Sequence, residues 1–236
     1  MTGPCLRRRL LLAAAALTAG CATAPNDDVP SAAFVPEEGW HPVGLPGKAS
    51  THYQWQRKDG RTTIAADADR SASMWRRKVA IPADRLGQTS FSWRVDRLIP
   101  DANLADADRA DAPARVLFAF AGDVRRLSAR NRMMFELAHA LTGEAPPFAT
   151  LMYVWDGSAP VDSVIVSTRT DRIRKIVLDS GAEGLGQWRH HRRSLVSDFR
   201  RAFGEDPGPL VAVGVMTDAD NTRSTAQAWY SPIEFD

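Results

Sequence analysis

The segment with the densest chemistry is Asp218-Ala219-Asp220-Asn221-Thr222, which follows the nearly continuous apolar run Val211 to Met216. Two carboxylates and an amide on a tight turn can supply several of the six to eight oxygens that calcium takes. Asp218, Asp220 and Asn221 are therefore a candidate calcium site. A second acidic loop, carrying Asp101, Asn103, Asp106, Asp108 and Asp111, would add ligands if the fold brought the two together. The same residue types also build plain turns, because Asp and Asn hydrogen-bond their own backbone. The sequence leaves both alternatives open.

Aromatic residues suggest a second chemistry. Seven tryptophans stand at positions 40, 55, 75, 93, 155, 188 and 229, and flat indole faces can stack on the apolar C–H faces of sugar rings. Large aromatics also fill sandwich cores, and Trp93, Trp155 and Trp188 fit that role better. Trp55 and Trp75 sit beside charged residues and are expected to form an exposed pair. Glu136 and His139 share a helical face at i, i+3, a spacing used by carboxylate metal sites in bundles, but no second such helix accompanies them. His190 and His191 form an adjacent pair. There is no Gly-Xaa-Ser-Xaa-Gly elbow, phosphate loop or dinucleotide fingerprint. Two of the aspartates could still form the carboxylate pair of a glycosidase, since their separation is set by the fold.

The elements that must position these groups are short and bounded by turn residues. Thr51 to Arg57 and Arg61 to Ala66 flank Lys58-Asp59-Gly60, a hairpin signal. Further strands are expected at 74–81, 89–95, 115–121, 150–155, 163–167, 173–178, 210–217 and 227–235. Phe91-Ser92-Trp93-Arg94-Val95 alternates apolar and polar residues, so one face is buried. Two amphipathic helices interrupt the series. Arg130 to Leu141 spaces Met134, Leu137, Ala138 and Leu141 on one stripe before Gly143, and Arg192 to Phe203 does the same before Gly204. About ten strands with two peripheral helices predict a mainly β, antiparallel sandwich.

Several phrases then occur in a recognisable order: Phe91 to Val95, the acidic loop to Asp111 with Arg115 after it, Tyr153-Val154-Trp155, Asp198 to Gly204, Met216 to Thr222 and Ala228 to Ile233. Together they resemble the exported bacterial family catalogued as domain of unknown function 3047. The resemblance runs from about Trp40 to the end and implies a jelly-roll similar to carbohydrate-binding modules, with no activity to carry over. Ala219 stands where the family often has Thr, and Asp111 is followed by Ala112 where paired acids are common. Asp111, Arg115 and Tyr230 from these phrases, with Trp55 and Trp75, are the candidate ligand contacts.

The first residues give an address. Arg7-Arg8-Arg9, the apolar run Leu10 to Leu17, and Thr18-Ala19-Gly20 before Cys21 have the layout of a signal peptide. Its apolar part is too short to span a bilayer, which takes about 20 residues. Gly20-Cys21 resembles a bacterial lipobox, which implies cleavage before Cys21 and acylation of it, with the lipid bilayer as partner. Ala22 after the cysteine resembles an outer-membrane sorting signal, which implies a periplasm-facing protein. Residues 21–38 read as a flexible tether and 39–236 as the sandwich domain. Removing the three arginines before Cys21 takes the formal charge from +2 to −1, which argues against nucleic-acid binding. Cys5 lies in the leader, so no disulfide can form within the mature chain. The function expected is non-catalytic binding of a polysaccharide or other ligand; a glycosidase-like enzyme and a structural envelope protein are the alternatives.

Overall fold

The computed structural model describes Met1, Thr2 and Glu38–Asp236. Residues 3–37, which hold Cys21 and nearly all of the expected leader and tether, lie outside the described residues. Glu38–Asp236 belong to one compact unit. No helix among the described residues is long and apolar enough to cross a membrane.

Strands are numbered here in chain order. One sheet runs β1 (Trp40–Gly44), β4 (Ala72–Ile81), β11 (Leu210–Asp218), β6 (Ala112–Phe120), β7 (Ala149–Asp156), β9 (Ile173–Ser180) and β8 (Val164–Val166). Its pairings are antiparallel except β7 with β9. The other sheet runs β10 (Trp188–Ser194), β5 (Gln88–Val95), β12 (Thr225–Tyr230), β3 (Arg61–Asp69) and β2 (His52–Lys58), with β13 (Glu234–Phe235) also paired to β5. This is the expected two-sheet, mainly β architecture. β2 and β3 form the hairpin signalled by Asp59-Gly60, both of which take positive φ, 51° and 75°, as a two-residue loop of this type requires. Pro232 stands between β12 and β13, which sequence reading joined as one strand.

Side-chain alternation builds the core. Phe118, Phe120, Leu151, Tyr153 and Trp155 project inward from the seven-stranded sheet to meet Phe91, Trp93, Val95 and Tyr230. β6 and β7 are apolar at alternate positions on their other face as well, where Leu117, Met152, Val154 and Met216 belong to a second apolar cluster. A sandwich strand with two apolar faces must have both covered, and the outer cover here is made by loops.

Helix α2 (Leu195–Phe203) starts later than the predicted Arg192, because β10 continues to Ser194, whose side chain caps the helix by accepting from Ser197 N–H. It buries Leu195, Phe199 and Ala202. Helix α1 (Ala129–Thr142) lies where the periodicity placed it but faces differently. Its contacts run through Asn131, Phe135 and Ala138, while Met133, Leu137 and Leu141 are exposed. The cause is polar: Asn131 donates to Asp171 at 2.5 Å and accepts from Thr170 at 2.9 Å, which fixes the helix's roll. Both helices end on a left-handed glycine, Gly143 and Gly204, as expected.

Candidate functional site

The outer face of the seven-stranded sheet carries a groove of about 310 Å³. Its depth follows from the strand register. One row across the sheet reads Arg76, Gly214, Leu117, Met152, Lys175, and the next reads Ala212, Ala119, Thr150, Ile173. Gly214 and Ala212 on β11 and Ala119 on β6 are small, while Arg76 on β4 and Met152 on β7 are large, so the floor is low along β11. Met74 and Met216 complete the apolar base. Leu45 and Lys48, the segment with Ala107 and Ala110, Pro147, and Ser167 to Arg169 form the walls. Among the described residues, no Phe, Trp or Tyr lines it.

The two acidic segments converge at one end of this groove. One carboxylate oxygen from each of Asp111, Asp218 and Asp220 lies within 4.8 Å of the others. Asp218, 4 % exposed, is clasped by Arg115, 5 % exposed, with Nε at 2.9 Å and Nη2 at 2.6 Å, and also accepts from Ala112 N–H at 3.1 Å. Burial pushes Asp218 up to about 6, while the Arg115 guanidinium pulls it down. Asp111 accepts from Asn221 N–H at 3.2 Å and from Thr222 N–H and hydroxyl, each at 2.7 Å. Asp220 pairs with Lys48. The carboxylates are thus held by two cations and by loop amides, which makes the cluster an ion-pair clasp that pins both loops to the sheet. A calcium ion here would have to displace the Lys48 ammonium and compete with Arg115. The rest of the acidic loop serves its own turns: Asp106 pairs with Arg109 at 2.9 Å, and Asn103 accepts from Ala105 N–H at 3.0 Å.

Of the expected ligand contacts, only Arg115 lines the groove, together with Asp218, Asp220 and Asn221 of the metal candidates. Asp111 sits behind it, 2 % exposed. Tyr230 is corrected outright. It is 1 % exposed and lies between the sheets, where its hydroxyl donates to Met216 C=O at 2.9 Å, contacts Thr217 Oγ1 at 2.7 Å and accepts from Arg115 N–H at 3.3 Å. Trp55 and Trp75 are corrected too: each is half-buried, and they meet edge to face at 6.1 Å against the core, beside Trp40 and Tyr53. Arg76, next to Trp75, alternates to the opposite strand face, so a charge adjacent in sequence does not place the indole in solvent. Trp188, assigned to the core, is half-buried at a strand edge and donates to Asp59 at 2.9 Å. Glu136 and His139 lie exposed on α1.

Sequence reading missed Lys175. It is 5 % exposed, reaches into the groove, and donates to Leu104 C=O at 3.1 Å. Burial and the nearby Arg115 push its ammonium down to about 8. A lysine central in the apolar strand Ile173 to Leu178 was the available signal. A second missed group is Asp179, buried where β9 faces β10, which accepts from Trp93 at 2.7 Å and from Arg189 and His191 at 2.9 Å. Burial alone would raise its pKa; the hydrogen bonds from His191 and Trp93 outweigh burial and hold the carboxyl below its ordinary value.

The profile of the family described as "Protein of unknown function (DUF3047)" matches residues 38–234. No curated protein matches the chain. Among solved structures, the family 11 carbohydrate-binding module of Lic26A-Cel5E from Clostridium thermocellum aligns at 9 % identity, covering 85 % of this chain and 88 % of that one, with a TM-score of 0.42. The xyloglucanase domain of NopAA from Sinorhizobium fredii, in complex with cellobiose, aligns at 7 % identity over 86 % and 96 %, with a TM-score of 0.43.

Proposed function

The chain belongs to the DUF3047 family, and from its geometry we propose that it is a lipid-anchored envelope protein that captures a small ligand in the outer-face groove without cleaving it. The observation that carries this is the groove. An apolar floor on the solvent side of a sandwich sheet would ordinarily be a liability. Here it is walled by loops that a buried ion pair holds in place, and its volume lies at the lower end of the range for small-molecule pockets, about 300–1,000 Å³.

Binding is favoured over hydrolysis because the acids are committed. Asp218 is gripped by Arg115 and Asp111 by three loop donors, and Asp111, 2 % exposed, does not line the groove, so both are engaged in holding the loops. The anchor rests on the leader and on Gly20-Cys21. Oligosaccharides are the second ligand class, favoured by the polar groups Ser167, Thr168 and Asn221 of the rim and Thr150 of the floor.

The test is a thermal-shift screen of the full chain against oligosaccharides and small amphiphiles, run in parallel on Ala119→Trp, which fills the groove from its floor. At least one class raises the midpoint of the wild type and not of the variant. Equal shifts in both, or none in either, would remove the groove as the binding site.

A further inference from the structure

Resting on that reading of the groove, we propose that its ligand is a monoanion with an aliphatic body, the carboxylate or equivalent group seated on the Lys175 ammonium and the chain lying on the methionine floor.

Three cations of the groove are already matched: Arg115 by Asp218, Lys48 by Asp220 and Arg76 by Glu144. Lys175 is not. Among the described residues no carboxylate comes within 4.0 Å of its Nζ, and its hydrogen-bond partner is a single carbonyl, Leu104 C=O, at 3.1 Å. An ammonium has three N–H groups to satisfy, and the one carbonyl leaves two of them for the groove, although the residue is 5 % exposed. The nearby acids do not answer it. Asp218 is turned to Arg115, and Asp156 accepts from the backbone N–H groups of Leu104, Ser158 and Ala159. Arg169, on the wall, adds a further positive charge near the same ammonium. A buried cation without a counter-ion is costly, and an incoming anion would supply the missing partner through charge-assisted hydrogen bonds.

The floor selects the rest of the ligand. Met74, Met152 and Met216 with Leu117 offer adaptable, polarisable contacts suited to a flexible chain. Among the described residues, no aromatic ring lines the groove for a sugar face to stack on. Such a floor favours the burial of methylene groups.

The proposal is tested by isothermal titration of the full chain, carrying Cys21→Ser to keep it free of lipid, with sodium octanoate and with the uncharged octyl glucoside at pH 7. The wild type is expected to prefer octanoate by about tenfold or more. Lys175→Met, which keeps a long side chain, is expected to lose that preference, with a thermal midpoint equal to or above that of the parent. Equal affinities, no binding of octanoate, or a preference that survives in Lys175→Met would each overturn the proposal. Octyl glucoside binding that Ala119→Trp abolishes would leave the groove standing while the anion falls. Binding of either probe that ignores Ala119→Trp would bring down both.

Discussion

Replacing Arg115 with Met strips the buried Asp218 of its partner, and the size of the damage should depend on pH in a definite way. Burial lifts Asp218 from 3.8 to about 6 in the fold, so the folded state holds a proton that the unfolded chain releases. The contribution of Asp218 to stability is therefore greatest below about pH 4 and declines as pH rises through that window. In the wild type the decline stops near pH 6, where the carboxylate ionises in the Arg115 clasp. In Arg115→Met it continues at about 1.4 kcal/mol per pH unit, because the bare carboxylate stays protonated. Near pH 5 both chains carry a neutral Asp218, and they differ by the lost guanidinium hydrogen bonds, about 1–2 kcal/mol. By pH 7.5 the gap should widen by about 2 kcal/mol to about 3–4 kcal/mol, in line with the usual cost of breaking a buried pair. Urea unfolding followed by the fluorescence of the buried Trp93 and Trp155 at the two pH values measures this. Asp218→Asn, which has no carboxyl to titrate at this position, should show no such widening. A gap below about 1 kcal/mol, or one equal at both pH values, would refute the assignment of Asp218 as a charge kept in place by Arg115.

Further expectations follow from the same contacts. Tyr230→Phe removes a hydroxyl joined to Met216 C=O, Thr217 and Arg115 N–H, and should cost about 1–3 kcal/mol in denaturant unfolding without altering ligand affinity. Calcium should leave the thermal midpoint of the wild type unmoved, since Lys48 and Arg115 already hold two of the three acids; a concentration-dependent rise would revive the cation site. Cys21→Ser should move the protein from the membrane to the soluble fraction, and mass spectrometry of the parent should find an acylated amino terminus at Cys21.

Much of the sandwich could be read from the chain because alternation and turn residues act locally. Asp59-Gly60 forces a hairpin, and Phe91-Ser92-Trp93-Arg94-Val95 declares its buried face without outside help. β10 was less legible: Trp188 to Ser194 is almost wholly polar or charged, and its pairing to β5 is decided by a neighbour far away in the chain. The acidic segments were visible, and so was the value of their meeting. What each carboxylate does was not, since Lys48 lies 172 residues from Asp220 and Arg115 lies 103 from Asp218. Tyr230 and Trp75 were misplaced for a related reason. A residue type suggests a binding role, but strand parity decides which face it serves. The groove had a signal that went unread: Leu117, Met152 and Met216 make their strands apolar on both faces, and a two-layer sandwich buries only one face between its layers.

The claim that the outer-face groove holds the ligand can be tested by methyl NMR of the full Cys21→Ser chain with isotope-labelled methionines. Of the six methionines, Met74, Met152 and Met216 line the groove, while Met133 and Met134 are exposed on α1 and serve as internal controls. Titration with octanoate, and separately with octyl glucoside, should shift the three groove methyls in at least one series and leave the two on α1 in place. Shifts confined to Met133 and Met134, or none at all with either compound, would contradict it.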